Sequence, residues 1–77
     1  MTNPVIVYYK PHCPFGIRLR AELKMHHVPY VAVRFRDDEV ASTQVRAIND
    51  GNEISPTVRV GDTWLTNPGW RQVAASM

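Results

Sequence analysis

Cys13 is the only cysteine in a chain of 77 residues, and it stands within Lys10-Pro11-His12-Cys13-Pro14-Phe15-Gly16. The run Val5-Ile6-Val7-Tyr8-Tyr9 leads straight into this segment, and a helical pattern from about Phe15 to His27 leads straight out. A thiol at such a strand-to-helix switch meets the unpaired N–H groups of a first helical turn and the positive end of its dipole. Both favour the thiolate, lower the pKa below the ordinary value of about 8.5, and make the sulfur a nucleophile. Lys10, and His12 when protonated, act in the same direction through their charge. Pro14 suits the first helical position, where a missing N–H costs no hydrogen bond. An unpaired cysteine is commonly a small buried hydrophobe. Here two flanking prolines and a histidine at a turn favour the reactive thiol.

One cysteine can form no internal disulfide, and no Cys/His cluster has the spacing of a structural zinc site. The core must therefore be held by packing, which an apolar content of 44% permits. The length predicts one domain over residues 1–77. The amino terminus, with Thr2-Asn3-Pro4 as a polar lead-in, has no basic segment followed by an apolar run, and no stretch approaches about 18 apolar residues. The expectation is a soluble, cytoplasmic monomer with no membrane contact, in a reducing compartment where a free thiol is safe. The net charge of +2 is spread without a dense block, so nucleic acid is not indicated. A mildly basic surface suits an anionic small thiol or an acidic partner.

These elements must position the thiol. The continuous run Val5–Tyr9 fits a strand buried on both faces, central in a sheet. Phe15, Leu19 and Leu23, flanked by Ile17 and Ala21, predict an amphipathic helix with Arg18, Arg20, Glu22 and Lys24 on or near its wet side. His26-His27-Val28-Pro29 ends it; metal binding by the two histidines is set aside. Residues 30–36 alternate, with Val31, Val33 and Phe35 on one side, and predict an edge strand. Asp37-Asp38-Glu39 reads as the cap and first turn of a second helix rather than a metal site. That helix carries Ala41, Val45 and Ile48 inward and stops at Asn49-Asp50-Gly51. Ile54 to Val60 and Thr63 to Thr66, around Gly61-Asp62, predict a hairpin with a type II′ turn. Asn67 and Pro68 are expected as N-cap and first residue of a last helix bearing Trp70, Val73 and Ala74. The order is β-α-β-α-β-β-α. A right-handed crossover pairs the first two strands in parallel, and the hairpin joins the first strand's other side.

Three stretches carry a resemblance. Tyr8-Tyr9-Lys10-Pro11-His12-Cys13-Pro14-Phe15-Gly16 resembles the active-site segment of the thioredoxin fold in its smallest, glutaredoxin-like form. Ser55-Pro56-Thr57-Val58 resembles that family's Val-Pro-Thr-Val, whose proline is cis and faces the cysteine. Gly51-Asn52 through Leu65-Thr66-Asn67-Pro68 is similar to the tail of the mycoredoxins, glutaredoxin relatives that use mycothiol, and Tyr-Tyr-Lys-Pro to the glutaredoxin-like donors to ribonucleotide reductase. The resemblance implies an α/β fold with a four-stranded mixed sheet flanked by helices.

It also implies thiol-disulfide exchange, in which the chain departs from the dithiol pattern. Gly16 stands where dithiol members carry a second cysteine, so no intramolecular disulfide can form. A monothiol cycle on mixed disulfides between proteins and a low-molecular-weight thiol, mycothiol or glutathione, needs only one nucleophile. The resemblance makes Cys13 that nucleophile, with Pro14 and Phe15 beside it. It makes Pro56 the residue that holds Ser55 so that the Ser55 backbone pairs with substrate. Ile54-Ser55 replaces the family's usual Thr-Val there. Lys10 would attract a carboxylate, lower the thiol pKa, or be a solubilising lysine. His12 would tune Cys13 or be an exposed turn residue. Thr66 and Asn67 would bind a polar end of the small thiol, or Asn67 would only cap. Trp64 and Trp70 read as core or groove wall. No tightly bound cofactor or metal is expected. Two rival readings are an iron–sulfur cluster carrier, favoured by the single thiol and disfavoured by Pro14, and a non-catalytic binding module.

Overall fold

The computed structural model describes residues 3–77; Met1 and Thr2, and with Thr2 part of the expected polar lead-in, lie outside the described residues. Strand β1 (Val5–Tyr9) is followed by helix α1 (Pro14–Met25), strand β2 (Val31–Arg34), a 3-10 turn (Phe35–Asp37) and helix α2 (Glu39–Ile48). Strands β3 (Thr57–Val60) and β4 (Thr63–Thr66) form the hairpin, and helix α3 (Trp70–Ser76) closes the chain. The sheet order is β2-β1-β3-β4, with β1 parallel to β2 and antiparallel to β3. The branched and aromatic run of β1 is thus central and β2 lies at an edge, as the sequence predicts.

Side chains alternate across the sheet and build a core on each face. Val5, Val7, Val58 and Val60 pack against Leu19, Leu23 and Val73 of α1 and α3. On the other face Tyr8 packs with Phe35, Ala41 and Val45 under α2. Among the described residues, no helix is long and apolar enough to cross a membrane.

Several expectations change in detail. The inward stripe of α1 is Gly16, Leu19 and Leu23, whereas Phe15 and Ile17 are exposed. A four-residue spacing drifts around a helix of 3.6 residues per turn, so Phe15 swings away from the face that Leu23 occupies. Arg20 is half-buried rather than wet, its guanidinium 4.0 Å from the centroid of the Tyr9 ring. His26 is the α1 cap, and His27 takes a left-handed φ of 57°.

The edge strand is shorter than residues 30–36. Phe35 leaves it for the 3-10 turn and is fully buried, while Val31 on the strand is exposed. Phe35 keeps the side that the alternation gives it, joining the core under α2 against which Val33 also packs. Asp38 caps α2 by accepting from the Ala41 N–H at 3.2 Å, and Asp37 pairs with Arg34. Ile48, expected inward, is exposed, and the last inward position belongs to the buried Asn49. The hairpin turn has positive φ at Gly61 and not at Asp62, the pattern of a type II′ turn.

The start of the last helix also differs. Asn67 is not its N-cap and Pro68 is not its first residue; Gly69 caps a helix that begins at Trp70. Asn67 instead has a left-handed φ of 47° and donates its N–H to the Pro56 carbonyl at 2.8 Å. That bond ties the β4–α3 loop to the segment entering β3, and an asparagine tolerates the left-handed conformation it needs.

Candidate functional site

The site begins where β1 ends. Lys10 and Pro11 lead to His12, an exposed residue whose φ of 64° turns the chain, and Cys13 becomes the N-cap of α1 with Pro14 at the first helical position. The half-buried thiol donates to the Ser55 carbonyl oxygen at 3.6 Å. Ser55 is joined to the fully buried Pro56 by a cis peptide bond, the isomer that the resemblance implies. The segment entering β3 therefore faces the cysteine directly.

Burial alone would raise the Cys13 pKa, yet its net direction is down. The N–H of Gly16, the Ser55 hydroxyl and the N–H of Phe15 stabilise the thiolate, and the Lys10 charge adds to them. The sulfur stands where the oxygen of a serine or aspartate N-cap would, next to the first-turn N–H groups, although no side-chain cap hydrogen bond is formed. A thiol so placed ionises at lower pH and is available to attack a disulfide sulfur.

The other predicted residues are distributed around this centre. Phe15 projects into solvent beside the thiol. From it a groove of about 350 Å³ runs between α1 and the start of α3, lined by Arg18, Glu22, Asn67 and Trp70 among others. Trp70 is thus groove wall, stacked at 3.6 Å on His26, and Trp64 stacks on Tyr8 at 5.4 Å on the opposite face of the sheet. The Thr66 hydroxyl is already engaged, donating to the Asn49 side chain at 2.7 Å.

That asparagine is the residue sequence reasoning missed. Read as a helix stop, Asn49 also donates to the Val45 carbonyl at 2.8 Å and to the Thr57 hydroxyl at 3.1 Å, and Thr57 donates to the Ile54 carbonyl at 2.8 Å. One buried amide thus fastens the end of α2, the segment before β3 and the end of β4. Its only sequence signal was a polar residue one turn after the inward Val45. Glu53, beside the same segment, has a lowered pKa because the Ser42 hydroxyl and Arg46 bind its carboxylate, outweighing burial, with a further contribution from the Lys10 charge. Among the described residues, no group of three or more metal-ligating side chains occurs.

Comparison with known proteins decides the family. The glutaredoxin family model matches residues 5–65. The chain belongs to the glutaredoxin family. This glutaredoxin is 38% identical over 79 residues to mycoredoxin 1 of Corynebacterium glutamicum, covering all of this chain and 95% of that one. Among solved structures, a thioredoxin-like protein superposes with a TM-score of 0.77 at 21% identity, covering 94% of this chain and 96% of that one. The glutaredoxin from Archaeoglobus fulgidus gives 0.71 at 18% identity, with 96% and 85% covered. These two establish the thioredoxin-like fold. Membership places the chain among thiol oxidoreductases that work with low-molecular-weight thiols, and its single cysteine fits a monothiol member.

Proposed function

We propose that this glutaredoxin is a monothiol oxidoreductase that reduces mixed disulfides between proteins and a low-molecular-weight thiol. The observation that carries the reading is the solitary thiol at the N-cap of α1, its pKa lowered, facing the Ser55 backbone. The Cys13 thiolate attacks the small-thiol sulfur of the mixed disulfide. That bond breaks, the protein thiolate leaves with the electron pair, and Cys13 carries the small thiol. A second small thiolate then attacks that sulfur, forms the symmetrical small-molecule disulfide and expels the Cys13 thiolate. The pool of small thiol supplies both electrons, so Gly16 need not be cysteine.

In this reading Cys13 is nucleophile and leaving group. Pro56 positions Ser55 so that its backbone aligns the substrate like an added strand. Lys10 and His12 stand on the approach to the sulfur, Pro14 and Phe15 form its rim, and the Thr66–Asn67 loop receives a polar part of the small thiol. Since the Thr66 hydroxyl is committed to Asn49, that loop would act through its backbone and through Asn67. The chain would work as a single-domain, soluble, cytoplasmic monomer, with mycothiol or glutathione as cosubstrate. Mycothiol is favoured by the likeness to mycoredoxin 1.

The test is turnover of a protein carrying a mycothiol or glutathione mixed disulfide, with the matching small thiol as reductant and Cys13→Ser as blank. Turnover lost in Cys13→Ser supports the reading. No turnover with either thiol would overturn it, and a coloured protein from oxygen-free purification would favour a cluster carrier instead.

A further inference from the structure

We propose that Arg20 and Arg34 form a docking point for an acidic side chain of the proteins that meet Cys13. The inference rests on Cys13 being the exchanging thiol and deepens that reading by naming a feature of its protein substrates. Val5 and Val7 face α1, and alternation along β1 puts Tyr9 on the same face. Arg20 reaches over from α1 and holds its guanidinium carbon 4.0 Å from the centroid of the Tyr9 ring. The register pairs Tyr9 with Arg34, so the Arg34 side chain leaves β2 on that face too. Ala32, two residues earlier on the same face, is exposed, so α1 does not cover the edge strand there. A shallow shelf results, floored by Tyr9 and Ala32 and flanked by two arginines.

Arg20 has no acid to answer it. Its Nε is buried without a hydrogen-bond partner, and among the described residues no carboxylate pairs with its guanidinium. Such a group is destabilising in the protein alone, and the ring contact offsets only part of that. A guanidinium already ordered on a ring and partly desolvated is well prepared to bind a carboxylate through its planar fork. Asp37 meets Arg34 only in an exposed pair at 3.2 Å, which is weak and leaves the arginine open to a second acid. The shelf lies on the flank of α1 opposite Arg18 and Glu22, which line the groove reaching Asn67. The small thiol is assigned to the Asn67 side, so the shelf falls to the protein half of the mixed disulfide. Arg20 follows Cys13 by seven residues, about 10 Å along the helix. An extended segment covers that distance in about three residues.

Two peptides carrying a mycothiol or glutathione mixed disulfide test this on the full chain. One has glutamate about three residues from its cysteine on either side, and its twin has glutamine. The parent should reduce the glutamate peptide with a kcat/KM about fivefold higher at low salt, the difference lying in KM. That preference should fade in about 0.5 M salt. Arg20→Met, which keeps the aliphatic packing, and Arg34→Gln should each narrow the ratio about twofold. Arg34→Glu should shift preference toward a lysine peptide. General loosening of α1 would slow both peptides alike and leave the ratio unchanged. Cys13→Ser, which binds the peptides without reacting, should show Arg20 and Arg34 side-chain NMR shifts with the glutamate peptide and not with its twin. Equal kcat/KM for the two peptides in the parent, with equal shifts in Cys13→Ser, would overturn the docking point and leave the exchange reading intact. Turnover of neither peptide would overturn the exchange reading. Shifts with the glutamate peptide alone would then still support docking, and equal shifts would overturn it as well.

Discussion

The Ser55 carbonyl accepts a hydrogen bond from the Cys13 thiol at 3.6 Å, so the backbone proposed to pair with substrate also touches the proposed nucleophile. That contact belongs to the protonated sulfur and by itself would hold the proton on. The net pKa is lowered because burial, which raises it, is outweighed by the Gly16 N–H, the Ser55 hydroxyl, the Phe15 N–H and the Lys10 charge.

Alkylation of Cys13 should therefore rise with pH to a plateau whose midpoint lies below about 8.5, the ordinary thiol value. The linked effect on stability has a definite sign. A depressed native pKa contributes stability that is fully present above the unfolded thiol's pKa and fades as pH falls through the native one. The stability of the parent relative to Cys13→Ser should accordingly grow as the pH rises from 7 to 9 in urea melts. A midpoint above 8.5, or a falling difference, would contradict the geometry described.

Asn49→Ala removes the amide that serves Val45, Thr57 and Thr66 together. Buried partners left without hydrogen bonds should cost about 2 kcal/mol in chemical denaturation. Because the loops bracketing Cys13 lose a common anchor, KM for the small thiol should rise more than kcat falls. Equal changes in both would place Asn49 in the scaffold alone.

Phe35 and Phe15 should respond in opposite ways to truncation. Phe35 is fully buried while Phe15 is 61% exposed. Phe35→Ala should cost about 3–5 kcal/mol through lost burial and the cavity left behind. Phe15→Ala should shift stability by no more than about 0.5 kcal/mol. Its effect should appear instead in KM for the protein mixed disulfide, since Phe15 stands at the rim of the groove beside Cys13.

Gly51 ends α2 with φ of 90°, and its N–H donates to the Arg46 carbonyl at 2.7 Å. A Cβ there would meet nothing within 4 Å, so Gly51→Ala isolates the backbone term. It should cost about 1 kcal/mol in thermal or urea melts. Gly69→Ala, also in open space but with a φ of −81°, adds no left-handed strain, so its cost is only that of alanine at the α3 N-cap.

The chain's sequence alone determined the element order, the central place of Val5–Tyr9, the edge place of the second strand, the type II′ turn at Gly61-Asp62 and the thiol at a helix start. All of these follow from local periodicity, caps and turn chemistry, which act over a few neighbouring residues. The resemblance brought Ser55-Pro56 to face Cys13. Only the tertiary structure decided that the Ser55 carbonyl accepts from the Cys13 thiol, and that Gly16 turns inward to face the Ser55 hydroxyl. It likewise decided that Asn49 bonds at once to Thr57 and Thr66, and that Asn67 turns left-handed to reach the Pro56 carbonyl instead of capping α3. Each of these joins segments distant in the chain, and their pairing is set by how two cores close on opposite faces of one sheet. Phe35 shows the same limit from the other side. Its place in an alternating pattern promised a strand and the correct side of the sheet, beside Val33, but the strand ends at Arg34 and Phe35 is buried from a 3-10 turn.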